Sequence, residues 1–460
     1  MLKLKYSNKN NLLKTAGILS LCLFPFAEVM SSEPAKPNIL MILVDDHGYG
    51  DLSITGGTDI QTPHLDKLFQ KGMQFTNFYS NCTVCSPTRA SLMTGRYPDL
   101  VGVPGVIRTH ETNSWGYFKE DVPTLPDMLK KAGYQTAIIG KWHLGLESPN
   151  TPNERGFDFF HGFLGDMMDD YRTHLRHGNN YMRLNQKEIK PEGHATDIFS
   201  GWAIDYFREA KQKDAPFFLY LAYNAPHFPI QPPEEWLEKI KKREPGLSEL
   251  RAKNVAFVEH MDNAIGRVLK ALEAEGLDNN TLIIYSSDNG GSLPHGASNG
   301  PLREGKQDMY EGGIKVPTCF VWPGKIKPET QNKNLGLTMD IFPTLCDITG
   351  VEVSHEIDGI SLVPGILGKK QTTDNRTVFF MRREGGGYGG LCYYAARKGS
   401  YKLLQNTPYE QLQLFDIVSD PYEKQPLDEN SNVFRELKYE LSQHIRKSGA
   451  IPWQSAKNIK

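Results

Sequence analysis

The chain has 460 residues, 39% hydrophobic and 23% charged, an ordinary globular composition with enough apolar surface for a large core. Lys and Arg number 52 against 54 Asp and Glu, a formal net charge of −2 that excludes a bulk basic field for nucleic acid or an anionic membrane. Any anionic ligand must be met by a local cluster of cations.

The chain opens with Lys3, Lys5, Lys9 and Lys14, followed by the apolar stretch "AGILSLCLFPFAEVM" and the polar "SSEPAKPN". Pro25 and Glu28 interrupt the apolar stretch, which is short for a bilayer span. It reads as a signal peptide over 1–32 and predicts an exported protein, periplasmic or extracellular. Continuous apolar runs then recur at Asn38–Val44, Gln135–Gly140, Pro216–Tyr223, Thr281–Ser287 and Val316–Trp322, as expected of strands buried on both faces. Amphipathic helical patterns separate them, at Pro63–Lys71, Thr124–Ala132, Asp197–Gln212, Leu250–Glu275 and Met339–Ile348. Gly162–Pro191 has weak periodicity and reads as a long irregular binding loop. The pattern predicts an α/β fold, a large mostly parallel mixed sheet sandwiched by helices. After Gly350, "RTVFFMRR", "CYYAARKGSYKLLQ" and "QLQLFDI" read as antiparallel strands and Asn432–Lys447 as a closing helix. The expected division is a catalytic domain over 37–350 and a smaller C-terminal α+β subdomain over 351–460.

Ligands of open α/β sheets bind at the carboxyl ends of the strands, so the polar residues there are candidates. The successive runs end in "VDDHGYGD" with Asp45 and Asp46, "GKWHLG" with Lys141 and His143, "NAPHFP" with His227, and "SSDNGG" with Asp288 and Asn289. Singly, each reads as a cap, a turn or a satisfied histidine. Four at one sheet edge point to chemistry. Three carboxylates and an amide oxygen suit a hard cation, Ca²⁺ or Mg²⁺. The lysine and histidines beside them suit an oxyanion substrate.

"CSPTRASLMTG" predicts a short helix beginning at Cys85, with Pro87 in its first turn and Gly95 as its stop. A cysteine at a helix N-terminus is expected to have a lowered thiol pKa, and Arg89 lies one turn in. Six cysteines occur; removal of Cys22 with the signal leaves an odd five, and so a thiol outside any disulfide scheme.

Cys85-Ser86-Pro87-Thr88-Arg89 with Gly95-Arg96 resembles the signature of type I sulfatases of the alkaline phosphatase superfamily. "VDDHGYGDL", "GKWHLG", "APHFP", "SSDNGG", "SNGPLREGKQDMYEGGIKVP" and the late "LFDIVSDPYEKQPL" follow in that family's order. The resemblance implies hydrolysis of sulfate monoesters, with Cys85 converted by a maturation enzyme to Cα-formylglycine. It implies Ca²⁺ held by Asp45, Asp46, Asp288, Asn289 and modified Cys85. Arg89 and His143 would hold the formylglycine hydrate. Lys141, His227 and Lys306 would bind sulfate and the bridging oxygen, with His227 or Lys306 as proton donor to the leaving alcohol. A phosphate or phosphonate ester hydrolase of the same superfamily, and a non-catalytic binder of sulfated glycan, are the alternatives.

"SNGPLREGKQ" and "DDYRTHLRHGNNY" resemble stretches of sulfatases acting on sulfated galactose or N-acetylgalactosamine. The expected partner is therefore a sulfated glycan of galactose configuration. Arg108, His110, Asp170, Arg172, His174, Arg176 and His177 are candidates for lining the sugar site, the arginines and histidines meeting a further sulfate or uronate and Asp170 the hydroxyls.

Overall fold

A computed structural model describes residues 36–110, 113–384 and 392–456; the predicted signal peptide lies outside them. Ten strands form the main sheet. Its parallel centre runs Thr281–Ser287, Asn38–Val44, Phe217–Ala222, Gln135–Lys141 and Phe159–Phe163. Thr318–Val321 pairs antiparallel with Thr281–Ser287 and Met73–Phe75 antiparallel with Thr318–Val321, so the fifth predicted run reverses direction. Thr330–Asn332 completes that edge.

The alternation of strand side chains explains why the central runs carry apolar residues at consecutive positions. Leu40, Ile42 and Val44 enter one core, while Ile39, Met41 and Leu43 enter the other. The first core is covered by helices Pro63–Gln70, Ala195–Lys211, Glu234–Arg243 and Glu249–Ala274. The second is covered by Cys85–Thr94, Leu125–Lys131 and Ile341–Thr349. Register aligns the carboxyl ends: Val44 lies opposite Ser287, Leu43 opposite Ala222, and Ala222 opposite Gly140. Gly140 has φ +104°, and a Cβ there would fall 1.9 Å from the Ala222 carbonyl oxygen, so the closest approach of two central strands requires glycine just before Lys141.

The segment expected to be irregular is only partly so. Leu175–Arg176 and Asn179–Asn180 form a small hairpin. Met182–Leu184 and Lys187–Glu188 extend the main sheet beyond Phe159–Phe163. These strands have two or three residues, too few to print a period in the sequence.

Beyond this sheet, Thr377–Arg383, Cys392–Lys398, Tyr401–Gln405 and Gln413–Asp416 form a four-stranded antiparallel sheet. Helix Asn432–Gly449 lays Phe434, Leu437 and Leu441 on Ala396, Leu403 and Leu414. The opposite face packs Val378, Phe380, Leu404 and Phe415 among Tyr79, Met309, Ile314 and Leu337. A buried charge network crosses this junction. Lys402 Nζ, fully buried, donates to Glu311 at 3.0 Å and lies 2.8 Å from Glu423. Tyr79 donates to Glu311 at 2.6 Å, and the Glu311 backbone N–H donates to Glu423 at 2.6 Å.

Candidate active site

The helix predicted at Cys85 spans Cys85–Thr94, is wholly buried, and ends at left-handed Gly95, whose N–H donates to Ser91. Thr88 Oγ1 receives the Cys82 N–H at 3.2 Å and fixes the approach to the helix. The helix directs Cys85 to the carboxyl ends of the parallel strands. There a carboxylate oxygen of Asp45, the Cys85 sulfur and a carboxylate oxygen of Asp288 all lie within 4.8 Å of one another. Asp45, Asp46 and His227 converge equally closely.

Charge is densely paired around this point. Lys141 Nζ donates to Asp45, and Arg89 reaches Asp288 Oδ2 through Nε at 3.1 Å and NH2 at 2.8 Å. Arg89 NH1 also donates to the Lys141 carbonyl at 3.2 Å and the Tyr220 hydroxyl at 3.3 Å. Asp46 sits at φ 66°, with Lys306 Nζ at 2.7 Å and Asn289 Nδ2 at 2.8 Å from its carboxylate. Burial raises the Asp45 carboxyl, but Lys141, His227 and Arg89 outweigh it and hold it well below the carboxylate range. Burial, and then the neighbouring Asp45 charge, push Asp288 up to about 7. Burial opposes the Lys306 charge, but Asp46 outweighs it and the ammonium is stabilised.

The lowered Cys85 thiol expected from its helix position is not found. Burial pushes it up to about 11, with Lys141 and Lys306 only partly offsetting. At 3% exposure, desolvation of a thiolate outweighs the helix end. None of Cys82, Cys85, Cys319, Cys346 and Cys392 forms a disulfide among the described residues, so an odd count does not by itself single out Cys85.

His143, at φ 63°, donates from Nε2 to the Ile107 carbonyl at 2.8 Å, which leaves buried Nδ1 as an acceptor without a partner. Burial, Lys141 and Arg89 hold it neutral. His227 donates from Nδ1 to the Phe228 carbonyl at 2.6 Å and places Nε2 3.7 Å from Asp46. Tyr171, buried, donates its hydroxyl to the Asn224 and His227 carbonyls at 2.8 and 3.0 Å, bracing that turn.

The residues fit a hard divalent cation. Asp45 Oδ1 and Asn289 Oδ1 are buried oxygens with no hydrogen-bond partner among the described residues, beside two further carboxylates. Such acceptors are costly to bury unless something positive meets them.

Cys85, His143, His227 and Lys306 open onto a cavity of about 310 Å³. Of the seven candidates for the sugar, Arg108 and Arg176 line it. Asp170 instead accepts the Arg172 and Thr173 backbone N–H groups and Gln231 Nε2, and buried His174 hydrogen-bonds Gly193. Both build the loop. Arg172 is exposed, and His110 and His177 pack on each other at 4.4 Å, away from the cavity lining. Sequence reasoning missed Asp166, Phe228, His295, Arg382 and Glu384, which also line the cavity. Phe228 lies in a motif already singled out, "APHFP", and His295 in the short gap between "SSDNGG" and "SNGPLREGKQ". Arg382 and Glu384 come from the C-terminal sheet, a placement no local pattern announces.

The model of the family described as Sulfatase matches residues 37–351, and that described as "N-sulphoglucosamine sulphohydrolase, C-terminal" matches 305–449. Among curated relatives, N-acetylgalactosamine-6-sulfatase of Mus musculus is 30% identical over 96% of this chain and 92% of that one. A sulfatase of Formosa agariphila is 28% identical over 91% and 88%. Among solved structures, Ps i-CgsB in complex with k-i-k-neocarrahexaose is 30% identical with a TM-score of 0.83, covering 92% of this chain and 96% of that one. With the sheet, the cavity and these matches together, the chain belongs to the sulfatase family and is a hydrolase of sulfate esters.

Proposed function

We propose that this chain is an exported carbohydrate sulfatase acting on galactose or N-acetylgalactosamine units of a sulfated glycan. Cys85 is matured to Cα-formylglycine by a modifying enzyme, and Asp45, Asp46, Asp288 and Asn289 hold Ca²⁺. The carrying observation is the convergence of Cys85, Asp288, His227 and Lys141 on Asp45 and of Asn289 and Lys306 on Asp46, beside a cavity lined by Asp46, Cys85, His143, His227 and Lys306. The galactose preference is supported by a relative named for N-acetylgalactosamine 6-sulfate and by a neighbour holding a neocarrahexaose. The export reading rests on the first 32 residues. We assign 37–350 as the catalytic domain and 351–460 as the subdomain that lends Arg382 and Glu384 to the cavity.

A bound divalent cation neutralises sulfate oxygens and lowers the pKa of a neighbouring hydroxyl. A formylglycine hydrate at position 85 would supply a geminal diol, one hydroxyl as nucleophile towards sulfur and the other for release of sulfate. The remaining tasks fall to side chains in place. Lys141 keeps Asp45 charged, and Arg89 orients Asp288. Lys306, paired with Asp46 at the cavity wall, meets sulfate oxygen. His227, with Nδ1–H anchored, presents Nε2 to hold the proton given to the leaving alcohol. His143 presents Nδ1 to take a proton at position 85. Sulfate release by matured protein from galactose and N-acetylgalactosamine sulfated at position 2, 3, 4 or 6, beside glucosamine sulfates, tests the reading. Release from one galactose-type isomer is expected; release confined to glucosamine sulfates refutes the sugar assignment.

A further inference from the structure

We infer that the outer part of the active-site cavity is shaped for an uncharged pyranose ring bearing a single sulfate, and that it discriminates against a ring carrying a second anionic group. This rests on the carbohydrate-sulfatase reading above. It replaces the sequence-based expectation that arginines there meet a further sulfate or uronate.

The arginines of the outer wall are not reserved for a ligand anion. Arg176 binds Asp166 through Nε at 3.0 Å and Asp169 through NH1 at 2.7 Å. On the other side, Arg108 and Arg382 share Glu384, at 2.9 and 3.2 Å. Three guanidinium groups therefore face three carboxylates. Asp166 and Glu384 both line the cavity, their side chains 7% and 0% exposed. Their charges are held in place with little water to screen them.

Such pairs present a fixed acceptor next to a fixed donor, the pattern that a ring hydroxyl, itself donor and acceptor, can meet at both ends. A second sulfate or a carboxylate meets the opposite situation. It must approach desolvated carboxylates, or draw a guanidinium away from its buried partner and leave that carboxylate uncompensated. The inner cluster of Lys306 and His227 accepts one sulfate; in the outer wall, among the described residues, each guanidinium is already paired with a carboxylate.

An apolar plate completes the arrangement. Phe228 keeps 42% of its surface exposed and stacks on His295 with centroids 4.5 Å apart and planes 27° off parallel. Both line the cavity beside His227. A pyranose ring has an apolar C–H face that suits such a plate, and sulfate on that face would not. The cavity volume of about 310 Å³ is at the small end for ligand sites and matches one substituted ring.

The test uses the matured full-length enzyme. Turnover of an aryl sulfate, which has no pyranose ring, examines the sulfatase reading by itself. The inference is then read from kcat/KM for the preferred singly sulfated ring against the same ring bearing a second sulfate or a carboxylate. The expected ratio is at least about tenfold in favour of the single sulfate, the scale of a like-charge clash at a desolvated wall. Asp166→Asn and, separately, Glu384→Gln should each narrow that ratio several-fold, with melting curves identifying the folded variants. Equal or better turnover of the doubly charged ring by the wild type overturns the inference while leaving the sulfatase reading intact. So does a ratio unchanged in whichever of the two variants folds.

Discussion

Replacing Lys402 by methionine keeps the volume of the side chain but deletes the charge that joins the two sheets. In the wild type its ammonium lies between Glu311 at 3.0 Å and Glu423 at 2.8 Å, all buried. Without it, two carboxylates remain in a dry junction with Tyr79 and one backbone N–H as donors. Breaking a buried pair from one side costs about 3–5 kcal/mol. At about 2 °C per kcal/mol for a large domain, the melting temperature should fall by about 6–10 °C. The pH dependence gives a second readout. Burial raises the Glu311 carboxyl, but Lys402 and then Lys315 bring it down to about 2 against an ordinary 4.5. That depressed value contributes stability above pH 4.5, lost as the pH falls towards 2. In Lys402→Met the ammonium is gone and burial raises both carboxyls, so the variant is penalised at neutral pH and relieved on acidification. The gap between wild type and variant should therefore narrow from pH 7 to pH 5. Adding Glu423→Gln should recover part of the loss. A melting temperature within about 1 °C of wild type, or a gap that does not narrow, would refute the argument that this charge holds the junction.

Cys85→Ala should abolish sulfate release while shifting the melting temperature by no more than about 2 °C, because a small buried side chain is removed; retained turnover refutes the formylglycine mechanism. Ca²⁺ added to metal-stripped protein should raise the melting temperature by several degrees, since about 2.7 kcal/mol is gained at a hundredfold excess over Kd. Asp46→Asn should blunt that rise, and an unchanged curve would remove the metal site. Tyr171→Phe retains the ring but removes the donor to the Asn224 and His227 carbonyls, at about 1–3 kcal/mol. It should lower kcat for sugar sulfates more than for aryl sulfates, whose leaving groups need less proton assistance. Equal losses would assign Tyr171 to packing alone.

The central strands were legible because burial on both faces makes their cores continuously apolar, as at residues 39–44 and 282–285. The polar residues following those runs could be listed from sequence because strand register alone gathers them at one edge. Local density of charge was a poorer guide. The His- and Arg-rich loop spends Asp170 and His174 on its own backbone, and only Arg108 and Arg176 of the seven candidates line the cavity. Arg382 and Glu384 lie almost 300 residues from Cys85 and were invisible to any window. The thiol pKa was misjudged because helix position can be read locally, whereas burial is a property of the whole fold. Glu234–Arg243 and Met73–Phe75 passed unnoticed, the first too polar and the second too short.

The strand order carries a temporal consequence. Asn38–Val44 lies between Phe217–Ala222 and Thr281–Ser287, so it has no hydrogen-bonded neighbour in the main sheet until the chain has grown far past Cys85. The Cys85–Thr94 helix packs against that same layer and against Ile341–Thr349, which arrives later still. Once these elements assemble, Cys85 is 3% exposed. On the proposed maturation, a modifying enzyme would meet the segment around Cys85 as pliant chain before assembly, and afterwards as a buried helix end at the foot of a cavity. The wide separation of pairing partners along the chain would thus act as a delay, holding open a window for the proposed modification of residue 85.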